Sequence, residues 1–140
     1  MEAFDAWRNG ASIPSLWDAN PKGGDIGERA TDFGRDYEDS TGRKGSGNAA
    51  RHAYWQAMLA CKYGQETAIA IGDAHEKGRQ CDPDSRIDQY NNRVARRIAY
   101  QNRGSCDMIF PKIKEALDNG DFIFDPNDPR MPPAPPECCK

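Results

Sequence analysis

Between Asp82 and Asn102 the chain carries two stripes at helical spacing. Asp84, Asp88, Asn92 and Arg96 recur every four residues, and Ile87, Val94 and Ile98 run beside them with Asn91 in their middle. An amide on the apolar face of a helix is tolerated only where neighbouring helices hydrogen-bond it, so such a residue fixes how helices pack. The segment therefore reads as a central member of a helical assembly with polar groups inside.

The rest of the sequence supplies partners for it. Asp25, with Glu28 three residues later as in a capping box, opens a helix to about Ser40 that buries Ile26, Ala30, Phe33 and Tyr37. Ser46 or Asn48 starts a second helix that reads to Tyr63 and stops at Gly64, and a third runs from Gln65 to about Lys77. Asp82 and Asp84 around Pro83 open the fourth, and Ser105 or Cys106 begins a fifth through Leu117, closed by Asn119 and Gly120. Phe122, Ile123 and Phe124 form a short extended segment, either one strand or a covering arm. With 140 residues, one modest core suits a single domain. The expected fold is mainly α, a compact single-domain bundle of about five helices with a short extended segment near the C-terminus.

Three regions follow. Residues 1–24 read as irregular, with Phe4, Trp7, Ile13, Leu16 and Trp17 packing onto the body. Residues 25–125 form the helical domain. The tail 126–140 is proline-dense and favours polyproline conformation over packed structure; it reads as a disordered end or as a ligand for a proline-reading domain.

Bulk properties narrow the function. Formal charge is −3 with both signs mixed, which argues against nucleic acid as the main partner; Arg93, Arg96, Arg97 and Arg103 read as one solvated strip. No stretch approaches the roughly 18 apolar residues of a membrane span. The start, MEAFDAWRNG, has no basic or apolar run of a signal peptide. Export without a classical signal peptide, or delivery inside a larger machine, is compatible with it, as is a cytoplasmic location. The glycine-rich TGRKGSG lacks P-loop spacing. Five cysteines, at 61, 81, 106, 138 and 139, form no CxxC pair. Cys81 and Cys106 flank the fourth helix; each can pair with the other if the loops fold back, or with Cys138 or Cys139, or stay reduced.

The two histidines are the chemical handle. Asn48, His52, Trp55 and Leu59 share one side of the second helix, with Gln56 one turn beyond His52. Ala68, Ile71, Gly72 and His75 share a stripe on the third. Glycine inside a helix costs about 1 kcal/mol against alanine, and close approach of another helix at Gly72 would compensate and bring His52, His75 and the Asp88/Asn91 region together. Glu76 joins them only if the third helix ends there. Two imidazoles and a carboxylate suffice for zinc or another divalent ion, with His52, His75 and Asp88 the expected ligands and Glu76 or Asp73 the general base. HxxxH and HExxH are absent. A metal-free version uses one histidine as general base and the other, or Arg96, to stabilise negative charge. Cys61 as nucleophile falls off the His52 stripe. A purely structural network is the remaining alternative. Convergence of the histidines within about 5 Å in a solvent-reaching cleft favours an enzyme, and a sealed network favours packing.

The segments NAARHAYWQAMLACKYGQETAIAIGDAHE, DSRIDQYNNRVARRIA and EALDNGDFIF resemble a bacterial helical domain family found in secreted and wall-associated proteins and at the toxin ends of polymorphic antibacterial proteins. The shared pattern is N-x-x-RHA-x-W, then DAHE, then D-x-x-NN followed by an arginine; Ala95 stands where the family has glycine. The resemblance spans roughly residues 48 to 124 and falls on Asn48, Arg51, His52, Trp55, Asp73, His75, Glu76, Asp88, Asn91, Asn92 and Arg96. On the reading of the residues themselves, His52, His75, Glu76, Asp73 and Arg96 are the expected catalytic groups, with Arg51, Trp55, Asn91 and Asn92 on substrate; the resemblance adds context. The implied context is a secreted antibacterial effector, hydrolytic and acting on peptidoglycan or lipid, with an immunity protein or secretion machinery as partner. A non-enzymatic interaction module and a nuclease toxin are the alternatives.

Overall fold

The computed structural model describes residues 5–7 and 9–139. Six α-helices follow in order: α1 (Ile13–Ala19), α2 (Asp25–Thr41), α3 (Ser46–Tyr63), α4 (Gln65–Glu76), α5 (Pro83–Gln101) and α6 (Ile109–Asp118). Single 3₁₀ turns at Cys106–Met108 and Pro136–Cys139 complete the set, and residues 5–7 are also helical. The fold is mainly helical, and no strand occurs among the described residues. No helix among them is long and apolar enough to cross a membrane.

Helix α3 is the hub, packing against α2, α4, α5 and α6. Its inner side is Ala49, Ala50, Ala53, Ala57 and Leu59, all buried, and the four alanines let neighbouring helices approach its axis. The closest approach is at Gly34 of α2, where a Cβ would stand 2.4 Å from the Gly47 carbonyl oxygen and 2.9 Å from Arg51 Cβ. Any larger residue there would push α2 off α3. The apolar stripes of α2 (Ile26, Ala30, Phe33, Tyr37) and α5 (Ile87, Val94) are buried as their spacing predicts, with Asn91 among them.

Four features depart from expectation. A short helix, α1, lies within the segment expected to be irregular, so five helices undercount the bundle. Its signal was present: Ser12 caps it, its hydroxyl accepting from the Ser15 N–H at 3.2 Å, with Pro14 in the first turn. Only Leu16 of the apolar residues expected to pack turns inward; Trp7, Ile13 and Trp17 are exposed, and Phe4 lies outside the described residues. Polar ties replace them. Trp55 Nε1 donates to the Ala19 carbonyl at 2.9 Å, and Asp18 accepts from Lys62 at 2.7 Å and from the Tyr63 hydroxyl.

Asp25, expected as a cap, is instead the first residue of α2, and the Glu28 carboxylate accepts from the Gly23 N–H at 2.6 Å. Residues Phe122–Phe124 are a covering arm. Asn91 Nδ2 donates to the Ile123 carbonyl at 2.8 Å and the Ile123 N–H donates to Asn91 Oδ1 at 2.9 Å, so one amide side chain does what a neighbouring strand would do.

The tail, expected to lack packed structure, is strapped to the body. Arg130 donates to the carbonyls of Gly120 and Phe122 at 2.7 and 3.2 Å, Arg86 donates to the Pro132 carbonyl at 3.3 Å, and Cys138 is disulfide-bonded to Cys81. The second disulfide joins Cys61 to Cys106, tying the end of α3 to the 3₁₀ turn before α6. Cys81 and Cys106 thus each take another partner, and Cys61, bonded through its sulfur, is no nucleophile. The Cys139 side chain is outside what is described.

Candidate functional site

The site forms where α3, α4 and α5 meet. His52 enters from the middle of α3 and is 4% accessible; His75 enters from the last turn of α4 and is half-buried. Their ring centroids are 5.5 Å apart, and Trp55, one turn beyond His52, contacts both rings at 6.0 and 5.6 Å. Helix α4 ends at Glu76, and its carboxylate is buried although it adjoins His75 in sequence. One ring nitrogen of each histidine and one Glu76 oxygen lie within 4.8 Å of one another.

Asp88 of α5 completes the floor. Its Oδ2 lies 3.3 Å from His52 Nε2, and its Oδ1 accepts from Asn48 Nδ2 at 3.1 Å. Asn48 Oδ1 in turn accepts from the Arg51 guanidinium at 3.1 Å. A chain of contacts therefore runs from Arg51 through Asn48 and Asp88 to His52. Burial pushes the His52 imidazole down to about 3, helped by the positive charges of Arg51, His75 and Arg79. His52 is therefore neutral at pH 7, with a nitrogen lone pair available. Burial, with the nearby Glu76 charge, pushes Asp88 up to about 7 against the opposing hydrogen bond from Asn48. With its imidazole neutral, the His52–Asp88 contact is no ion pair.

Unsatisfied groups mark this floor. Both Glu76 oxygens and His52 Nδ1 are buried without a hydrogen-bond partner among the described residues. Among the described residues, His75 Nε2 and Arg79 Nη1 each stand 3.9 Å from a Glu76 oxygen, beyond hydrogen-bond length. An unpartnered buried carboxylate is costly, and the donor set of two imidazoles and one carboxylate matches that of open three-ligand zinc sites.

Above the floor lies a cleft of about 320 Å³. One wall is Gly27, Ala30 and Thr31 of α2 with Arg51, His52 and Trp55 of α3 and Ile71 and His75 of α4; the other is Ala6, Leu16, Ala19, Asn20 and Pro21. This N-terminal wall was not legible as part of a site.

The polar constellation expected from sequence divides in two. Arg51, His52, Trp55, His75, Glu76 and Asp88 converge at the cleft and its floor. Asn91, Asn92, Arg96 and Asp73 do not. Asn91 is consumed by the Ile123 backbone. Arg96 donates to Gln56 Oε1 at 2.7 Å, and Arg51, not Arg96, lines the cleft. Asp73 is exposed, and its charge acts on Arg96. Asn92 is buried against Gly72, where a Cβ would meet Asn92 Nδ2 and Gln56 Oε1, each at 3.1 Å. The helices do close on Gly72 as its place in the stripe predicts, through amide side chains. Asp88, expected as a ligand, lies outside the three-residue donor cluster and contacts His52 instead; Glu76, expected as a base, takes its place.

Residues 26–121 match the model of a family described as a domain of unknown function, DUF6973. No curated protein and no solved structure matches the chain.

Proposed function

The chain belongs to the DUF6973 family, and on that premise we propose that it is a small hydrolase with a divalent-metal site built by His52, His75 and Glu76. One observation carries the reading: donor atoms of these three residues gather within 4.8 Å at the floor of a cleft, and Glu76 has no hydrogen-bond partner there. An ion bound to three protein groups would leave a position for water and lower that water's pKa towards neutrality. His52 contributes a neutral imidazole, oriented by Asp88 as carboxylates orient metal-bound histidines. Glu76 contributes a buried carboxylate whose oxygens no hydrogen bond satisfies. Arg51 stands at the cleft to meet charge developing on the substrate.

Two disulfides support a working place in an oxidising compartment, and hence export. A secreted antibacterial effector acting on an envelope component such as peptidoglycan or lipid fits that setting, with an immunity protein as its natural inhibitor; the acidic chain disfavours a nuclease. The packing reading keeps the other half of the constellation, because Asn91, Gln56 and Arg96 spend their polar atoms on neighbouring elements.

Elemental analysis of the purified chain, paired with release assays on peptidoglycan and phospholipid, tests the proposal. About one zinc-like ion per chain is expected, lost in His75→Ala together with hydrolysis while circular dichroism is unchanged. A metal-free chain that gains no activity with added zinc, manganese or other divalent ions would remove it.

A further inference from the structure

We propose that the cleft selects an aliphatic group of a few carbons bearing a carboxylate or phosphate, the carbons lying against Leu16, Ala19, Ile71 and Trp55 and the anion on Arg51. Among the described residues the walls are mostly apolar, with Thr31 and Asn20 as neutral polar groups, and Arg51 is the one permanently charged side chain that lines them. Its guanidinium donates to the neutral amide of Asn48, so its full charge is left for an incoming anion. Among the described residues, Asp5 is bound by Lys77, Asp18 by Lys62 and Tyr63, Glu28 accepts from the Gly23 N–H, and Asp88 and Glu76 lie buried beneath the cleft.

Volume limits the rest of the ligand. About 320 Å³ is the small end of the roughly 300–1,000 Å³ range of ligand pockets, enough for one short apolar group and too little to enclose a polymer segment. A larger molecule would place one substituent here and leave its remainder outside.

The choice of substituent belongs to this chain's own N-terminal wall. Ala6, Leu16, Ala19, Asn20 and Pro21 precede residue 26, where the family match begins, whereas His52, His75, Glu76, Asp88 and Arg51 fall within it. Leu16 and Ala19 thus add a wall from outside the match to Arg51, Trp55 and Ile71 from within it. Arg51 also links cleft and floor: through Asn48 and Asp88 it is two side chains from His52, so an anion bound at the cleft is positioned against the proposed reacting centre. Calling the bound molecule a substrate rests on the hydrolytic reading; its binding does not.

Four probes test this on the full oxidised chain, once as purified and once after EDTA: hexyl phosphate, hexanoate, 1-hexanol and inorganic phosphate, followed by amide shifts in NMR. Hexyl phosphate or hexanoate should bind about tenfold tighter than hexanol, the worth of one charge-assisted hydrogen bond. The shifts should centre on Leu16, Arg51, Trp55 and Ile71, and the tighter of the two anions identifies the headgroup. Arg51→Gln, at an exposed position, should bring the anions down to hexanol's level, and Leu16→Trp should displace every hexyl probe. Hexanol binding as tightly as the anions, inorganic phosphate binding as tightly as hexyl phosphate, or indifference to either substitution overturns the proposal. Hexyl anions that bind without any envelope hydrolysis would sink the hydrolase and leave the cleft's selectivity standing.

Discussion

Asp88 Oδ2 and His52 Nε2 lie 3.3 Å apart, with both side chains 5% accessible. Asn48 holds the other Asp88 oxygen, so the carboxylate cannot rotate freely away from the ring. A histidine fixed in this way has one nitrogen faced by a carboxylate and the other available to an ion. Removing such an outer partner typically costs 10–100-fold in metal affinity. Asp88→Asn keeps the shape and should lower zinc affinity by roughly that factor in isothermal calorimetry. Asp88→Glu should recover part of it. Unchanged affinity in Asp88→Asn would show that the carboxylate only fills space.

Asn91 exchanges two hydrogen bonds with the Ile123 backbone, and both residues are inaccessible. Truncation to alanine leaves a buried N–H and a buried carbonyl unpaired, each worth about 1–3 kcal/mol. Asn91→Ala should therefore lose about 2–5 kcal/mol in urea unfolding, with zinc affinity of the folded fraction unaltered. A loss below about 1 kcal/mol would mean that water replaces the amide.

Much of this was legible because helices announce themselves locally. The limits of α3 to α5 follow from Gly64, Pro83 and periodic apolar residues, and helical spacing alone puts His52 with Trp55 and His75 with Gly72. Convergence of the two stripes was legible from Gly72, since only a close neighbour excuses a glycine there. Other parts depended on tertiary contacts between residues far apart in sequence. Asp88 and Asn91 differ by three positions on one helix, yet one faces His52 and the other the arm at Ile123, 32 residues away. Similarly, no local signal says that Cys61 meets Cys106 or that Leu16 and Pro21 wall a cleft. Ser12 and Pro14 did signal α1, but a seven-residue helix carries too little periodicity to show its face.

The disulfides close loops spanning 45 and 57 residues. Chain-entropy reasoning assigns each about 4 kcal/mol as an upper figure. Reduction should lower the midpoint of thermal unfolding sharply. Cys81→Ser with Cys138→Ser should act more locally as well, speeding amide exchange in residues 77–82 and 126–138. Equal unfolding midpoints with and without reductant would show that the cross-links add nothing.

Asp128 anchors Arg130 at 2.8 Å, and that hydrogen bonding holds its carboxyl down at about 2 from an ordinary 3.8. A depressed carboxylate pKa stabilises the folded tail above the unfolded value and loses that effect as pH falls through the folded one. Tail anchoring should thus weaken between about pH 4 and pH 2. Exchange at the Arg130 contact should show this acid dependence, and Asp128→Asn should flatten it. Because the pair is partly exposed, added salt should diminish the difference.

Glu76 separates stability from function most cleanly. Its carboxylate is 1% accessible, its oxygens have no hydrogen-bond partner among the described residues, and His75 Nε2 and Arg79 Nη1 stand at 3.9 Å. An arrangement so unfavourable in the metal-free chain is what a ligand awaiting an ion requires, since a pre-satisfied carboxylate would have to give up its partners first. Glu76→Gln removes the charge at nearly constant shape, so the metal-free protein should melt higher than the wild type. At zinc one hundred times its dissociation constant, the wild type should gain about 2.7 kcal/mol. The variant should gain less than half of that at the same zinc concentration. If Glu76 served only packing, the substitution would leave the zinc-induced gain intact; if it served neither, the metal-free midpoint would not rise. The two readouts move in opposite directions only for a buried carboxylate retained as a ligand.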